Sequence, residues 1–452
     1  MALPIRTKRL DIPIPGVPAQ TVSEGKPPAH VALLTRDYWK MQPVLQVEAG
    51  DAVKRGTLLF KDGQSGVLYT APGAGTVVKI HHDPSGMPIA LVIELNAREQ
   101  AGTPEERDFQ PFHSFPLRDL ALCTGRDIKA LLLESGLWTA LRTRPFGHVA
   151  DPRIESFALF INAMDTEPLA PSMDVVAADR AEDLSIGALA VSKLTNGYVF
   201  YCKAAGARII PPPNIGVMVR DFPGTHPHGT VGVQIHQLEP AGRTRPIWHL
   251  GVQDVLAIGA LIRTGRLDVS RIVALSGPGM VQPRLIRTRL GASLAEITTG
   301  ELHPGLHRII SGSILNGRAV IGGDEAYLGR YHQQVCVLPE TPGPGSMLRR
   351  GMMSMLSPFR RGKPWELSTG HSLNALTILP LGWYEQVFPL AIPVTHLLSA
   401  LQRRDYAEVE ALGGLELDEE DVALCSYVCP ENIDFGRLLR EALTALQGGS
   451  AS

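Results

Sequence analysis

LELDEEDVALCSYVCPENIDFGRLLREAL, residues 415–443, carries the tail of an iron–sulfur ligand run, with Cys425 and Cys429 followed by Pro430. Bacterial ferredoxins hold clusters with C-x2-C-x2-C-x3-C-P. In that spacing the two earlier ligands fall at Glu419 and Val422. A cluster iron takes thiolate, or exceptionally imidazole. Valine offers no donor and glutamate only a hard oxygen. The other cysteines, Cys123, Cys202 and Cys336, share no paired spacing. The stretch thus reads as a ferredoxin-like helical frame without its cluster, Cys425 and Cys429 forming a packed, reduced pair. A metal held there with outside donors is the alternative.

Bulk properties bound the rest. A chain of 452 residues that is 44% hydrophobic and 19% charged can bury several ordinary cores. Its net charge of −2 provides no general attraction to nucleic acid. Five cysteines, an odd and sparse set, suit a reducing compartment. The opening MALPIRTKRLDIPIPG lacks the apolar run of a signal peptide. The nearest approach to a membrane span, Ser372–Leu401, is broken by Pro380, Pro389 and Pro393 and contains Glu385 and His396. With 45 glycines and 36 prolines, a loop-rich, multidomain α/β protein is expected.

Four parts are expected along the chain. Residues 1–103 hold short strands divided by glycine turns, with Gly50-Asp51 as a hairpin signal. The half-motifs G-D-x-V-x-x-G (50–56) and A-P-x-x-G-x-V (71–77) look like the barrel-sandwich of biotinyl and lipoyl carriers. Counting back from Gly75 to the carrier-lysine position arrives at Gln64, which cannot form the amide link; Lys61 is out of register. Residues 104–254 alternate helices and strands in a Rossmann-like layer: a helix with Ile128, Leu131, Leu132 and Leu137 on one face, and strand-like runs in SFALFINAM and NIGVMVRDF. WHLGVQDVLAIGALIRTG supplies a further helix, with Gly265 near its stop. Residues 255–335 form a small β-rich module that runs strand, glycine turn, strand, short helix. Residues 336–452 are a linker and a helical domain, with Ile433, Leu439, Leu443 and Leu446 on one face of its last helix.

Taken in order, the barrel-sandwich, INAMDTEPLA (161–170), HPHGTVGVQIHQLEP (226–240), Ile247-Trp248-His249 with GVQDVLAIG, and the opening stretch resemble one family over nearly the whole chain. It is the NqrA family of the bacterial Na+-translocating NADH:quinone oxidoreductases. The resemblance implies an SLBB-like third module. It also implies kinship in the central layer with the RnfC component of Rnf electron-transport complexes and the complex I flavoprotein. Those relatives admit FMN through a glycine-rich loop, which lets a phosphate approach the backbone. The matching segment here, SGLWTALRTRPFG (135–147), keeps Gly136, and Leu137, Trp138 and Leu141 occupy the space small residues would leave. The relatives' acidic turn survives in part as Asn162, Ala163, Asp165, Glu167 and Pro168, which read as a capped turn at a strand end. No G-x-G-x-x-G follows an expected strand, and SGPGMV around Gly277 is a lone G-x-G.

What remains has a functional and a plain reading at each place. His226, His228 and His236 offer imidazoles for a metal, with no carboxylate pair at zinc-site spacing beside them; the plain reading is a glycine-rich loop entering a strand. Arg36, Tyr38 and Trp39, with Lys40, can sandwich a quinone ring and hydrogen-bond its carbonyls, or the aromatics pack onto the barrel-sandwich. The basic, methionine-rich link 347–363 suits an anionic headgroup surface or a membrane subunit, with a solvated loop as the alternative. The resemblance implies a peripheral subunit without cofactor or catalytic residue, at the cytoplasmic face of the inner membrane. Its assembly would be a respiratory translocase that oxidises NADH, reduces ubiquinone and exports sodium. FMN, FAD, riboflavin and iron–sulfur centres are then expected in partner subunits, chiefly beside a membrane-embedded one. A free-standing flavo-iron–sulfur protein of the Rnf type and a biotin or lipoate carrier are the competing classes.

Overall fold

The computed structural model describes residues 12–340 and 382–449, apart from 121, 321, 322, 324 and 432. After an edge strand, β1 (Ala19–Glu24), the chain builds the barrel-sandwich from β2 (His30–Leu34), β3 (Pro43–Leu45), β4 (Ala52–Val53), β5 (Leu58–Asp62), β6 (Leu68–Thr70), β7 (Gly75–His82) and β8 (Pro88–Leu95). These form one sheet in the order β2-β8-β7-β4 and another in the order β3-β5-β6. Leu59, Phe60, Val67, Tyr69, Val77, Leu91 and Ile93 fill the space between them. Gly50-Asp51 is a turn, but not the expected hairpin. The strand after it, β4, pairs with β7 through Ala52↔Thr76, so the turn carries the chain from one sheet to the other. The Asp51 carboxylate stabilises it by accepting from the Glu48 amide at 2.8 Å.

The second part opens with α1 (Gly125–Glu134), whose Thr124 and Asp127 cap each other's backbone amides. Ile128, Leu131 and Leu132 are its buried face, as expected; Leu137 is buried too, in the 3-10 turn Leu137–Ala140 beyond the helix. Strands β9 (Arg142–Arg144), β10 (Ala158–Asn162), β11 (Tyr198–Ala204), β12 (Met218–Phe222) and β13 (Ile247–Gly251) follow in the order β12-β11-β10-β13-β9. All neighbours are parallel except β13 with β9. Helices α2 (Ala181–Ser192), α3 (Val231–Leu238) and α4 (Val252–Thr264) complete the layer.

Two expectations are corrected here. The segment after His228 is helix α3, not the start of a strand. Its run from Val231 to Ile235 is buried without a break, so its apolar spacing did not distinguish the two periods. Residue 254, the expected boundary, falls inside α4, which closes at Gly265 in the left-handed conformation (φ 69°). Helices α2 and α4 approach through glycines: a Cβ on Gly187 would lie 2.0 Å from the Val255 carbonyl oxygen, and one on Gly259 1.9 Å from that of Asp183.

The third part is a sheet of β1, β14 (Ser270–Ser276), β15 (Arg284–Arg289), β16 (His307–Ser311), β17 (Arg318–Ala319) and β18 (Gln334–Pro339), ordered β1-β15-β14-β18-β16-β17. Because β1 pairs in parallel with β15, the N-terminal segment is built into this module. The helical part has a core of its own, with Leu397, Leu401, Val422, Phe435, Leu439 and Leu443 almost fully buried. Its last helices are α5 (Glu419–Val428) and α6 (Phe435–Gln447). Leu439, Leu443 and Leu446 share the buried face of α6, with Ile433 buried just ahead of it. The basic link 347–363 and the beginning of the apolar segment from Ser372 lie outside the described residues; the rest of that segment includes the helix Val394–Arg403, set into the helical core. No described helix is long and apolar enough to cross a membrane.

Candidate functional site

Strand β10 lies between β11 and β13, whose connections leave in opposite directions, so the crevice past its carboxyl end is the switch point where open α/β sheets take ligands. The acidic turn sits there. Asn162 ties it down, donating from Nδ2 to the Gly229 carbonyl (2.9 Å) and accepting from Gln234 Nε2 at Oδ1 (3.0 Å). Asp165 accepts from the Glu167 amide at 2.9 Å, as a capped turn requires. Glu167 reaches out of the layer to accept from Ser313 Oγ at 2.7 Å and Asn316 Nδ2 at 3.3 Å on the β16–β17 connection. Burial, with Asp165 and Glu420 close by, pushes the Glu167 carboxyl up to about 8. Burial, aided by Glu420, raises Asp165 to about 6.

The loop that would admit a flavin is filled. Gly136 is left-handed (φ 78°), and a Cβ there would lie 2.4 Å from Thr70 Oγ1 of the barrel-sandwich. That hydroxyl donates to the Ser135 carbonyl at 2.8 Å. Leu137 and Trp138 are buried behind it; Trp138 donates from Nε1 to the Ala150 carbonyl (2.7 Å) and meets Trp248 edge-on at 5.3 Å. The segment does not fit an isoalloxazine ring.

Arg36, Tyr38 and Trp39 leave one turn in three directions. Arg36 pairs with Glu325 on the surface. Tyr38 points inward, edge-on to Tyr69 (4.7 Å) and Tyr331 (6.2 Å). Trp39 is 39% exposed, with the Arg440 guanidinium 5.0 Å above its ring. Tyr38 lines a narrow cavity of about 40 Å³ where the first three parts meet, and Gly136 and Leu137 line the same cavity. Thus the turn suspected of meeting quinone and the filled flavin loop share a wall. Neither Arg330 nor Tyr69, on the other sides, belongs to a motif that would have announced it.

The opening stretch has another role in the fold. Val422, Cys425 and Cys429 are core residues, and Cys429 Sγ receives the Tyr384 hydroxyl at 3.4 Å. The acids ahead of them grip the α/β layer. Arg144 of β9 is buried and donates from Nη1 to Asp421 (2.9 Å) and from Nη2 to Glu420 (2.8 Å), with Asp418 at 3.7 Å. Burial works against its charge, but Asp418, Asp421 and Glu420 outweigh that and hold the guanidinium protonated. Arg440 of α6 binds Asp418 and Glu419 and donates to the Phe146 carbonyl. Arg144 was missed because it lies 277 residues from Asp421 and belongs to no motif.

The histidines diverge. His226 Nδ1 faces Thr166 Oγ1 (3.4 Å), His228 Nδ1 faces the Thr225 carbonyl (3.0 Å), and His236 Nδ1 pairs with Glu416 (2.7 Å). No group of three or more metal-binding side chains converges among the described residues. Gln64 stands exposed on the β5–β6 hairpin, its backbone N–H donating to the Asp62 carboxylate (3.3 Å).

Three family models match: the NqrA N-terminal barrel-sandwich hybrid domain over residues 5–96, the NqrA second alpha/beta domain over 123–267, and the NQRA C-terminal (SLBB) domain over 272–321. The chain is similar to proteins named as the A component of Na(+)-translocating NADH-quinone reductase. It is 42% identical to that of Yersinia pseudotuberculosis serotype I over 97% of this chain and 98% of the relative. It is 42% identical to that of Pseudomonas aeruginosa over 98% and 99%, and 40% identical to that of Neisseria meningitidis serogroup C over 97% and 98%. The chain belongs to the NqrA family of the Na+-translocating NADH-quinone reductases.

Proposed function

We propose that this chain is the peripheral NqrA component of a Na+-translocating NADH:ubiquinone reductase, the assembly that couples NADH oxidation and quinone reduction to sodium export. The observation that carries this reading is the match over 97% of the chain to relatives of that name. The chain takes no cofactor of its own and supplies no catalytic residue; the filled loop at Gly136 and the apolar Val422 support this. Flavins and iron–sulfur centres belong to partner subunits. The chain lies on the cytoplasmic face and covers a membrane-embedded subunit. The Arg36–Trp39 turn borders the quinone path: Trp39 offers a ring face, Arg36 a cation, and Tyr38 holds the turn from inside. In the assembled complex, Trp39→Ala is expected to raise the KM for ubiquinone several-fold and leave NADH oxidation by an artificial acceptor unchanged. An unchanged quinone KM removes the turn from the quinone path. Failure of the chain to co-purify with an integral subunit removes the larger reading.

A further inference from the structure

The cavity at the meeting of the barrel-sandwich, the α/β layer and the third module has the chemistry of a small binding site. Its walls include Tyr38, Tyr69, Asp37 and Arg330. A water molecule needs roughly 10–15 Å³ of such space, so about 40 Å³ accommodates a few heavy atoms and not a quinone ring. The charge around it is unequal. Arg271 and Arg330 share a single Asp254 oxygen, at 2.6 and 3.0 Å, and Arg318 pairs with Asp37 at 2.9 Å. Two buried guanidinium groups and the half-buried one of Arg318 therefore face two carboxylates. Asp37 borders the cavity with both oxygens engaged, the second accepting from the Arg330 amide at 2.8 Å.

Donors are in surplus as well. Arg330, 9% exposed, keeps Nη2 without a hydrogen-bond partner. Tyr38 and Tyr69, 4% and 2% exposed, line the same cavity and carry hydroxyls able to donate. Tyr331 beside them is already engaged, donating to the Thr139 carbonyl at 2.8 Å. Buried polar groups in folded proteins are nearly always partnered. A guanidinium can only donate, so the missing partner is an acceptor, and the surplus cation selects a negative one.

We propose that this junction cavity binds a small monovalent oxyanion, of formate or bicarbonate size, between Arg330 and the hydroxyls of Tyr38 and Tyr69. The ligand would join three parts of the chain through a single bound charge. This is independent of the quinone reading, which places its ligand on the outer face of the same turn.

The test uses the full chain, its thermal unfolding titrated with sodium formate against sodium chloride at equal ionic strength, with calorimetry of formate binding. A saturable rise in unfolding temperature with formate alone is expected. Tyr38→Phe and Tyr69→Phe keep both rings in place, and each should weaken formate binding by about ten-fold, the loss of one charge-assisted hydrogen bond. Formate that acts no differently from chloride, with both variants as stable as the parent, overturns the proposal. So does formate binding that is undiminished in both variants, since the anion then lies elsewhere.

Discussion

Two regions of this molecule carry part of the sequence pattern of a cofactor site, and each is closed by different physics. The loop at Gly136 is closed by packing: Thr70 occupies the space beside the glycine, and Leu137 and Trp138 fill what lies behind. The turn at Cys425 and Cys429 is closed by packing within and by charge outside. Val422 and the two thiols are core, while the acids at the start of α5 clasp Arg144 and Arg440. A filled loop becomes a rigid wall between parts. A frame rimmed by carboxylates becomes a joint, because buried ion pairs, with Phe146 packed against the helical core beside them, hold the two bodies together. One helix thereby serves both as the lid of the helical domain and as its attachment.

The largest effect is expected from Trp138→Ala. That change removes a fully buried indole and its hydrogen bond, and should lower stability by about 3–5 kcal/mol, read by denaturant unfolding. A small loss would mean that the loop is slack and not a packed wall. At the joint, Arg144→Gln leaves buried carboxylates unpaired and should destabilise by about 3 kcal/mol. Proteolysis or hydrogen exchange should then show α5 and α6 opening before the barrel-sandwich. Uniform loss of protection would mean that the two bodies unfold together. The acidic turn past β10 responds to pH. Glu167 keeps its proton in the folded chain up to about pH 8, against an ordinary value of 4.5. Its contribution is therefore full below pH 4.5, declines as pH rises through that interval, and is gone above about 8. Unfolding temperature should fall by a few degrees across the interval, and Glu167→Gln should flatten that slope. The smallest effect is expected at the surface: Arg36→Gln breaks an exposed pair with Glu325 and should change stability by less than about 0.5 kcal/mol.

Much of the first region could be read from sequence because its parts are neighbours in the chain. Gly136, Leu137 and Trp138 follow one another, so a filled loop is legible without any fold. The same holds for the missing ligands at Glu419 and Val422, which a spacing rule alone exposes. The joint was not legible, because an acidic run looks like a solvated face until its cation is found, and Arg144 comes from a strand 277 residues away. Helix α3 was missed for a different reason: an unbroken buried run from Val231 to Ile235 erases the periodicity that separates helix from strand. The Arg36–Trp39 turn was picked out by its residue types, yet three adjacent side chains on a short turn diverge, which only the backbone reveals. The cavity behind it depends on Tyr69 and Arg330, brought together by folding from separate parts.

Closure of both frames is read most directly from a visible absorption spectrum of the anaerobically purified chain, with iron and flavin assayed on the same sample. Closed frames give a colourless protein with neither iron nor flavin near stoichiometry. A yellow or brown protein with stoichiometric FMN or iron would contradict it, and the chain would then have to be treated as an electron carrier.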